Sequence, residues 1–452
     1  MFNQQNKLIM EDKINKINPQ GAGMDIGADK IFVCAEDEGY KTFGCFTQEF
    51  KRAAVYMKEK NAGSVAMEAT GVYWVALKDI LEEEGLKVDL VRAGDAKQLP
   101  GRNKTDGADC QWIRTLYQRG LLRPCMIPEV SIRQLRTYMR MRQDNIDMAA
   151  QHIQHIQKAF ILMNLRLPQV ISQLTGASGK RIIEAILAGE REAEKLVLLC
   201  DKQILQKKRK EVVLSLQGNY KEEYLFMLAH AYKAWQFYNN LNTECDAKIN
   251  AWLEQSTKNK APLQYVTKEK IIRHHKPKIE NFHEKMLLLN DEKDVSQLPG
   301  ITDYTSLQII AETGKDMSKW KSAKHFVSWL GLAPKKHYSG KMKRHQRGAT
   351  NTKAGQLFKV SAYGLLKSNK IALGSFARRI RALKGPAIAI KATARKLAIM
   401  FYNVMTKGMQ YVEKGIEKYE KQIKQTELDK LNRWANRMGF TLSANPIGVV
   451  HQ

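Results

Sequence analysis

The sequence predicts an α/β domain at the amino terminus and a long, mostly helical remainder. Short apolar runs alternate with helix-like segments between about residues 21 and 120. From Ser131 onward the apolar residues instead follow the 3–4 spacing of helices. Charge also divides the chain: residues 1–120 hold 17 Lys and Arg against 18 Asp and Glu, whereas residues 317–410 hold 21 Lys and Arg and no acid. We therefore predict four regions, 1–130, 131–292, 293–412 and 413–452.

The first region has the element order of a sheet covered by helices. Strands are predicted at 21–27, 31–35, 42–46, 65–68 and 88–91, and helices at 49–60, 73–84 and 111–120. Three strands in a meander, followed by strand–helix alternation, indicate an α/β sheet. Asp25 lies on the first strand, Glu68 ends the fourth, and Asp106 and Asp109 stand at the start of a later helix. This arrangement is typical of the ribonuclease-H-like fold.

These four carboxylates are the candidate catalytic and metal-binding residues. A D-x-x-D pair alone is more often a solvated first turn of a helix. An acid at the end of a buried strand, however, is unfavourable unless it is paired or binds a cation. Carboxylate oxygens suit hard divalent cations, Mg²⁺ or Mn²⁺. Two such ions about 4 Å apart activate a nucleophile and stabilise the leaving oxygen in phosphodiester chemistry. The glycines around Asp25 predict close approach of another element.

Residues 131–292 are predicted to be a coiled-coil and helical linker. Apolar residues from Ile132 to Leu167 keep a heptad spacing that only Arg142 interrupts, and a second run from Tyr224 to Trp252 repeats it. Two such helices can pair as an antiparallel hairpin within one chain or between two chains, and the sequence leaves both possibilities open. Residues 258–278 are predicted to be a basic connector with little helix.

The acid-free stretch predicts a polyanionic partner, with nucleic acid as the first candidate. Just before it, Leu298 to Ile301 resembles the turn of a helix-hairpin-helix, which offers backbone N–H groups to a phosphate. A plain turn between helices is an equal alternative. Ser339 is predicted to lie in a glycine-flanked basic loop. Its hydroxyl is either a nucleophile or a group that only contacts phosphate. The candidate nucleic-acid-binding residues are Lys335, Lys336, Lys341, Lys343, Arg344, Arg347 and Lys353.

The remaining composition narrows the class of protein. Six cysteines show no C-x-x-C or zinc-finger spacing, which is typical of a reducing cytoplasm. No apolar run reaches the length of a membrane span, and the amino terminus lacks the apolar core of a signal peptide. We therefore expect a cytoplasmic protein that does not contact a membrane.

Several motifs together resemble one family. M-D-I-G-A-D-K at 24–30, M-E-A-T-G-V-Y-W at 67–74 and N-K-T-D-G-A-D at 103–109 are similar to the DEDD set of the insertion-sequence transposases of the one-ten group. The similarity is greater to its eleven-eleven branch, the bridge-RNA-guided recombinases. L-P-G-I at 298–301, G-L-A-P at 331–334 and Y-S-G at 338–340 resemble that family's C-terminal transposase domain. The chain departs from the family between Pro168 and Lys278 and at Thr302, where a second hairpin glycine is usual.

The resemblance implies a role for each candidate residue. Asp25, Glu68, Asp106 and Asp109 would form the metal-binding tetrad of a RuvC-like domain, with Mg²⁺ or Mn²⁺ as cofactor. Ser339 would be the nucleophile that forms a covalent phosphoserine link to DNA during strand cleavage and exchange. The implied partners are donor and target DNA, a structured bridge RNA, and copies of the chain in homodimers that assemble to tetramers. Such a recombinase would be cytoplasmic and associated with the nucleoid.

Three other classes of protein compete with the recombinase, which we favour. A RuvC-like metal-dependent endonuclease or Holliday-junction resolvase would use water as the nucleophile, and a protein–DNA adduct would distinguish the two. An actin-like sugar kinase is suggested by Asp25-Ile26-Gly27, but no later glycine-rich adenosine site follows. A non-catalytic nucleic-acid-binding protein would not need four clustered acids.

Overall fold

The computed structural model describes residues 16–37, 39–69, 71–92, 105–334, 337–339, 342–344, 352–368 and 371–443. The chain divides into two compact units, Met1–Ile127 and Pro128–Gln452. The first unit is mixed α/β and the second is mostly helical, as predicted. Within the described ranges, no helix is long and apolar enough to span a membrane.

The first unit contains one five-stranded sheet. Its strands are β1 (Gly21–Ile26), β2 (Lys30–Cys34), β3 (Lys41–Gly44), β4 (Ser64–Glu68) and β5 (Lys87–Val91). They lie in the order β3-β2-β1-β4-β5. β2 is antiparallel to β1 and β3, whereas β4 is parallel to β1 and β5. The helices are α1 (Thr47–Glu59), α2 (Trp74–Glu83) and α3 (Asp106–Gln118). All five predicted strands are therefore present.

The helices cover opposite faces of this sheet. Met24, Met67 and Leu77 belong to the apolar cluster that the sheet forms with α1 and α2. Ala66 and Ile113 belong to a second cluster, which the sheet forms with α3. Because successive residues of a strand point to opposite faces, Ala66 and Met67 of β4 contact different layers. α3 therefore lies on the face opposite α1 and α2.

Helix α3 begins earlier than the sequence analysis predicts. The apolar pattern indicates a start at residue 111, but the helix starts at Asp106. Thr105 caps it with extended backbone, and its hydroxyl accepts the N–H of Ala108 at 3.2 Å. Asp106 and Asp109 thus occupy the first turn, where unpaired N–H groups favour negative charge.

The second unit is built from helices and one short β-hairpin. The helices are α4 (Val130–Leu162), α5 (Leu167–Val170), α6 (Ala177–Leu187), α7 (Ala193–Val197), α8 (Lys202–Ser215), α9 (Glu222–Thr257), α10 (Phe282–Leu289), α11 (Asp303–Thr313), α12 (Ala323–Trp329), α13 (Lys353–Leu365), α14 (Ala372–Lys384), α15 (Pro386–Lys407) and α16 (Met409–Arg437). The hairpin strands are β6 (His337–Ser339) and β7 (Met342–Arg344). Residues 258–278 contain neither helix nor strand, as predicted.

The two helices with heptad spacing, α4 and α9, pack against each other within one chain. Ile132 near the start of α4 shares a core with Trp252 near the end of α9. Ile156 near the end of α4 shares another core with Leu228 near the start of α9. The two helices therefore run antiparallel, which is one of the two arrangements that the sequence leaves open.

Arg142, the polar interruption of the heptad pattern, makes a buried ion pair. Its guanidinium donates to Oδ1 of Asp246 at 2.6 Å and to the hydroxyl of Tyr304 at 2.8 Å. The side chains of Arg142 and Asp246 are 4% and 3% exposed. The charge of Arg142 is thus compensated by an acid on α9, and its guanidinium is hydrogen-bonded to a tyrosine on α11. The side chain of Arg142 therefore connects three helices.

Candidate catalytic carboxylate site

Asp25 and Glu68 stand side by side at the ends of adjacent parallel strands. Met24 of β1 and Met67 of β4 are register partners, and the two acids directly follow them. Both methionines face the layer of α1 and α2. By strand alternation, both acids therefore face the side of the sheet that α3 covers.

Gly23 allows α3 to cross directly over β1. A Cβ atom on Gly23 would lie 2.2 Å from the carbonyl oxygen of Cys110 and 2.3 Å from the backbone nitrogen of Arg114. Only a residue without a side chain fits beneath this helix backbone. The predicted close approach is confirmed, and it brings the first turn of α3, with Asp106 and Asp109, toward the strand that carries Asp25.

The four acids interact electrostatically. The pKa of Asp25 is raised to about 6, first by burial and then by the negative charges of Asp106, Asp109 and Glu68. Asp106 is exposed, and the other three carboxylates are partly exposed. The structure thus brings all four predicted acids into one partly exposed negative cluster.

Two further residues of α3 lie next to the acids and were not singled out in the sequence. Cys110 is buried, its thiol donates to the carbonyl of Gly107 at 3.1 Å, and burial raises its pKa to about 12. Arg114 donates to Asp37 at 2.8 Å and lowers the pKa of that carboxyl. The i, i+4 spacing of Cys110 and Arg114 is the signal that places both on the face of α3 that packs on the sheet.

The four acids offer ligand atoms of the kind that suits a divalent metal ion. These atoms are carboxylate oxygens, which Mg²⁺ and Mn²⁺ prefer. The pKa of Asp25 is raised first by burial and then by three neighbouring negative charges, which a bound cation would offset. Asp25, Glu68, Asp106 and Asp109 are the residues that would hold it.

A second group of potential metal ligands lies in the second unit and consists of His283, Asp294 and Asp303. One donor atom from each of them lies within 4.8 Å of the others, which is the one grouping of this kind among the described residues. The imidazole, however, lies between hydrogen-bond partners. Nδ1 is 3.0 Å from Asp303 Oδ2, and Nε2 is 3.0 Å from the carbonyl oxygen of Thr267. Asp294 accepts the backbone N–H of Ser296 at 2.9 Å. These contacts link the three residues and Thr267 in a buried hydrogen-bond network.

Ser339 lies in the second unit, on a strand rather than in the predicted loop. It is the last residue of β6, opposite Met342 of β7. A glycine between two short runs is also a hairpin signal, and it could have indicated these strands. Lys343 and Arg344 lie on β7, and Lys353 is exposed at the start of α13. The other predicted nucleic-acid contacts lie outside the described residues: Lys335, Lys336, Lys341 and Arg347.

The turn that resembles a helix-hairpin-helix connects a short 3₁₀ helix, Val295–Gln297, to α11. Gly300 adopts a positive φ of 72°, which favours glycine. Thr302 stands where the second glycine is usual, and its hydroxyl accepts the N–H of Thr305 at 3.3 Å. At this position, where the chain departs from the family pattern, Thr302 caps the start of α11.

Two protein-family models match the chain. A DEDD-type model described as "Transposase" matches residues 22–163, which include all four acids. A second, described as "Transposase IS116/IS110/IS902 family", matches residues 292–356, which include Ser339. No curated protein matches the chain. These two matches, in this order, support a transposase function and suggest an enzyme that cleaves and transfers DNA strands.

Proposed function

We propose that this protein is the recombinase of an insertion sequence, which cleaves and exchanges DNA strands through the four carboxylates and Ser339. The observation that carries the proposal is the electrostatic coupling of Asp25 to Glu68, Asp106 and Asp109. The strand order, with acids at the ends of β1 and β4 and on a helix packed over them, supports a RuvC-like domain. The two family matches support the same function.

In this proposal, the carboxylates position the scissile phosphate and its leaving oxygen. A divalent cation bound there would neutralise charge on the phosphate and favour the deprotonated nucleophile. Asp25 is at least partly protonated below about pH 6, and in that form it is a poor ligand. Asp106 and Asp109 lie in the first turn of α3. The absence of a side chain at Gly23 allows that helix to pack closely on β1.

Ser339 is proposed as the nucleophile. Its hydroxyl oxygen would bond to phosphorus while the bond from phosphorus to one DNA oxygen breaks, and the displaced DNA hydroxyl takes up a proton. The basic residues around it would stabilise the charge that develops on the phosphate. The family resemblance adds three finer elements: a bridge RNA that pairs with donor and target DNA, dimers that assemble to tetramers, and a composite site in which one subunit offers the serine to the metals of another.

The experiment that tests this proposal is a search for the covalent intermediate. Wild-type protein with its co-purifying RNA is incubated with DNA of the element's ends, and adducts are separated under denaturing conditions and sequenced by mass spectrometry. We expect a nucleotide joined to Ser339 through its phosphate, and no adduct with Ser339→Ala. The control is Ser328→Ala, at an exposed serine in the same basic stretch, which should form a normal adduct. Cleavage by Ser339→Ala without an adduct would indicate the nuclease that uses water.

The composite site has its own test. A mixture of Ser339→Ala and Asp25→Ala proteins is expected to recover part of the strand-exchange activity, because some assemblies pair an intact serine with an intact set of acids. A mixture that stays inactive while mixed oligomers form would show that the site is built within one chain.

A further inference from the structure

Residues 258–278, which we term the strap, form a basic segment on the surface of the second unit. The strap contains seven Lys and Arg and one acid, Glu269, and it has no helix or strand. It lies between the two segments that the family models match, 22–163 and 292–356. It is also separate from the acid-free stretch at 317–410. Its charge therefore has no explanation in the proposed catalytic machinery.

The middle of the strap is held by the buried His283 network. The carbonyl oxygen of Thr267 lies 3.0 Å from His283 Nε2, and the Thr267 hydroxyl donates to Asp294. His283 in turn contacts Asp303 at the start of α11. His283, Asp294 and Asp303 are all buried. This network thus holds an irregular segment of backbone in one position.

Three more contacts fix the second half of the strap. Lys270 turns inward, and its ammonium donates to the carbonyl of Leu298 at 2.9 Å. The backbone N–H of Lys278 donates at 2.9 Å to Asp246, the acid of the buried ion pair between α4 and α9. Ile272 packs against the core that α4 and α9 share with α10 and α11. The strap is therefore held in place from Thr267 to Lys278.

Residues beside and between these inward contacts point to solvent. Tyr265 is 75% exposed and Ile271 is 84% exposed, although both are large and apolar. Lys268 and Arg273 are exposed close to them along the strap. Large apolar side chains on a preorganised surface, interleaved with cations, are typical of an interaction site.

We propose that the strap binds single-stranded nucleic acid. An unpaired base can stack on Tyr265 and a second can pack on Ile271, while Lys268 and Arg273 contact phosphates on either side. A duplex keeps its bases stacked inside and cannot offer their faces to these side chains. The anchored backbone reduces the entropy lost on binding. This proposal does not rest on the carboxylate site.

The test is fluorescence anisotropy with the full-length protein and labelled oligonucleotides about 16 nucleotides long. The three probes are an unstructured RNA, the matching single-stranded DNA, and a DNA duplex. For the variant Tyr265→Ala/Ile271→Ser we expect affinity for single strands to fall by about fivefold or more, with little change for the duplex. The comparison of the two single-stranded probes shows whether RNA or DNA is preferred.

Controls separate this surface from general effects. Phe226→Ala removes an aromatic ring on α9 that is 65% exposed, and it should leave all three affinities unchanged. The anisotropy measurement reports binding without cleavage, so that failure of the carboxylate proposal would not be mistaken for failure of this one. Ultraviolet crosslinking of wild-type protein to the RNA should label a peptide that contains Tyr265. Unchanged single-strand affinity in the double variant, or crosslinks confined to other peptides, would overturn the proposal.

Discussion

Asp25 directly follows Met24, and Glu68 directly follows Met67, its register partner on the neighbouring parallel strand. This places two carboxylates at the same level on one face of the sheet. The pKa of Asp25 is raised there to about 6, first by burial and then by the negative charges of Asp106, Asp109 and Glu68.

Asp25→Asn is expected to stabilise the metal-free protein at neutral pH. The pKa of Asp25 is raised from 3.8 to about 6, so ionised Asp25 destabilises the fold above pH 6, and this penalty is relieved as the pH falls from 6 to 4. In EDTA at pH 7.5 the variant should gain about 1 kcal/mol, a value reduced for solvent screening at a partly exposed site. Urea unfolding from pH 4 to pH 8 measures the difference. Glu59→Gln, an exposed acid at the end of α1, is the control, and a pH-independent difference for Asp25→Asn would contradict the coupling.

Gly23→Ala is expected to separate α3 from β1. The new methyl group would meet the backbone of Cys110 and Arg114, which cannot move aside without shifting the whole helix. We expect a loss of about 1–3 kcal/mol in the free energy of unfolding, together with loss of cleavage. Gly63→Ala is the matched control, because its Cβ would meet only Gln20 Oε1, at 3.7 Å. Equal stability of the two variants would show that the helix does not depend on this close approach.

Arg142→Met should destabilise the second unit by about 3–5 kcal/mol, because it leaves Asp246 buried without its cation. Adding Asp246→Leu should restore much of that loss, since the remaining charge is then removed as well. Thermal and urea unfolding of both single variants and the double variant measure the coupling. Additive losses would mean that the ion pair does not connect α4 to α9.

The sequence predicts the strands and the acids better than it predicts where α3 starts or how the acids meet. Asp25 and Glu68 lie at the ends of clear apolar runs, so alternation is enough to place them. The start of α3 depends on a cap by Thr105, and the approach of α3 depends on Gly23, which are local signals that apolar periodicity does not contain. The partner of Arg142 lies 104 residues away, and no spacing rule connects it to Asp246.

Nucleic-acid affinity should fall steeply with salt because of the acid-free stretch. Each phosphate contact contributes a slope of about −0.9 in log affinity against log salt on duplex DNA. Charge reversal at Lys341, Lys343 and Arg344 should flatten the slope by about one unit for each contact removed. Reversal of Lys202, Lys207 and Lys210, exposed lysines of α8, is the control. An unchanged slope in the first variant would place the DNA on another surface.

DNA cleavage by Asp106→Asn at low Mg²⁺ tests the central claim most directly. The substitution keeps the shape of the side chain and the first turn of α3 but removes one charge from the proposed metal-binding set. We expect cleavage of end-labelled element DNA to fall to background at low Mg²⁺, while binding of the same DNA, measured by anisotropy, stays within about twofold of wild type. Full cleavage by Asp106→Asn under these conditions would contradict the assignment of the four carboxylates as the catalytic metal site.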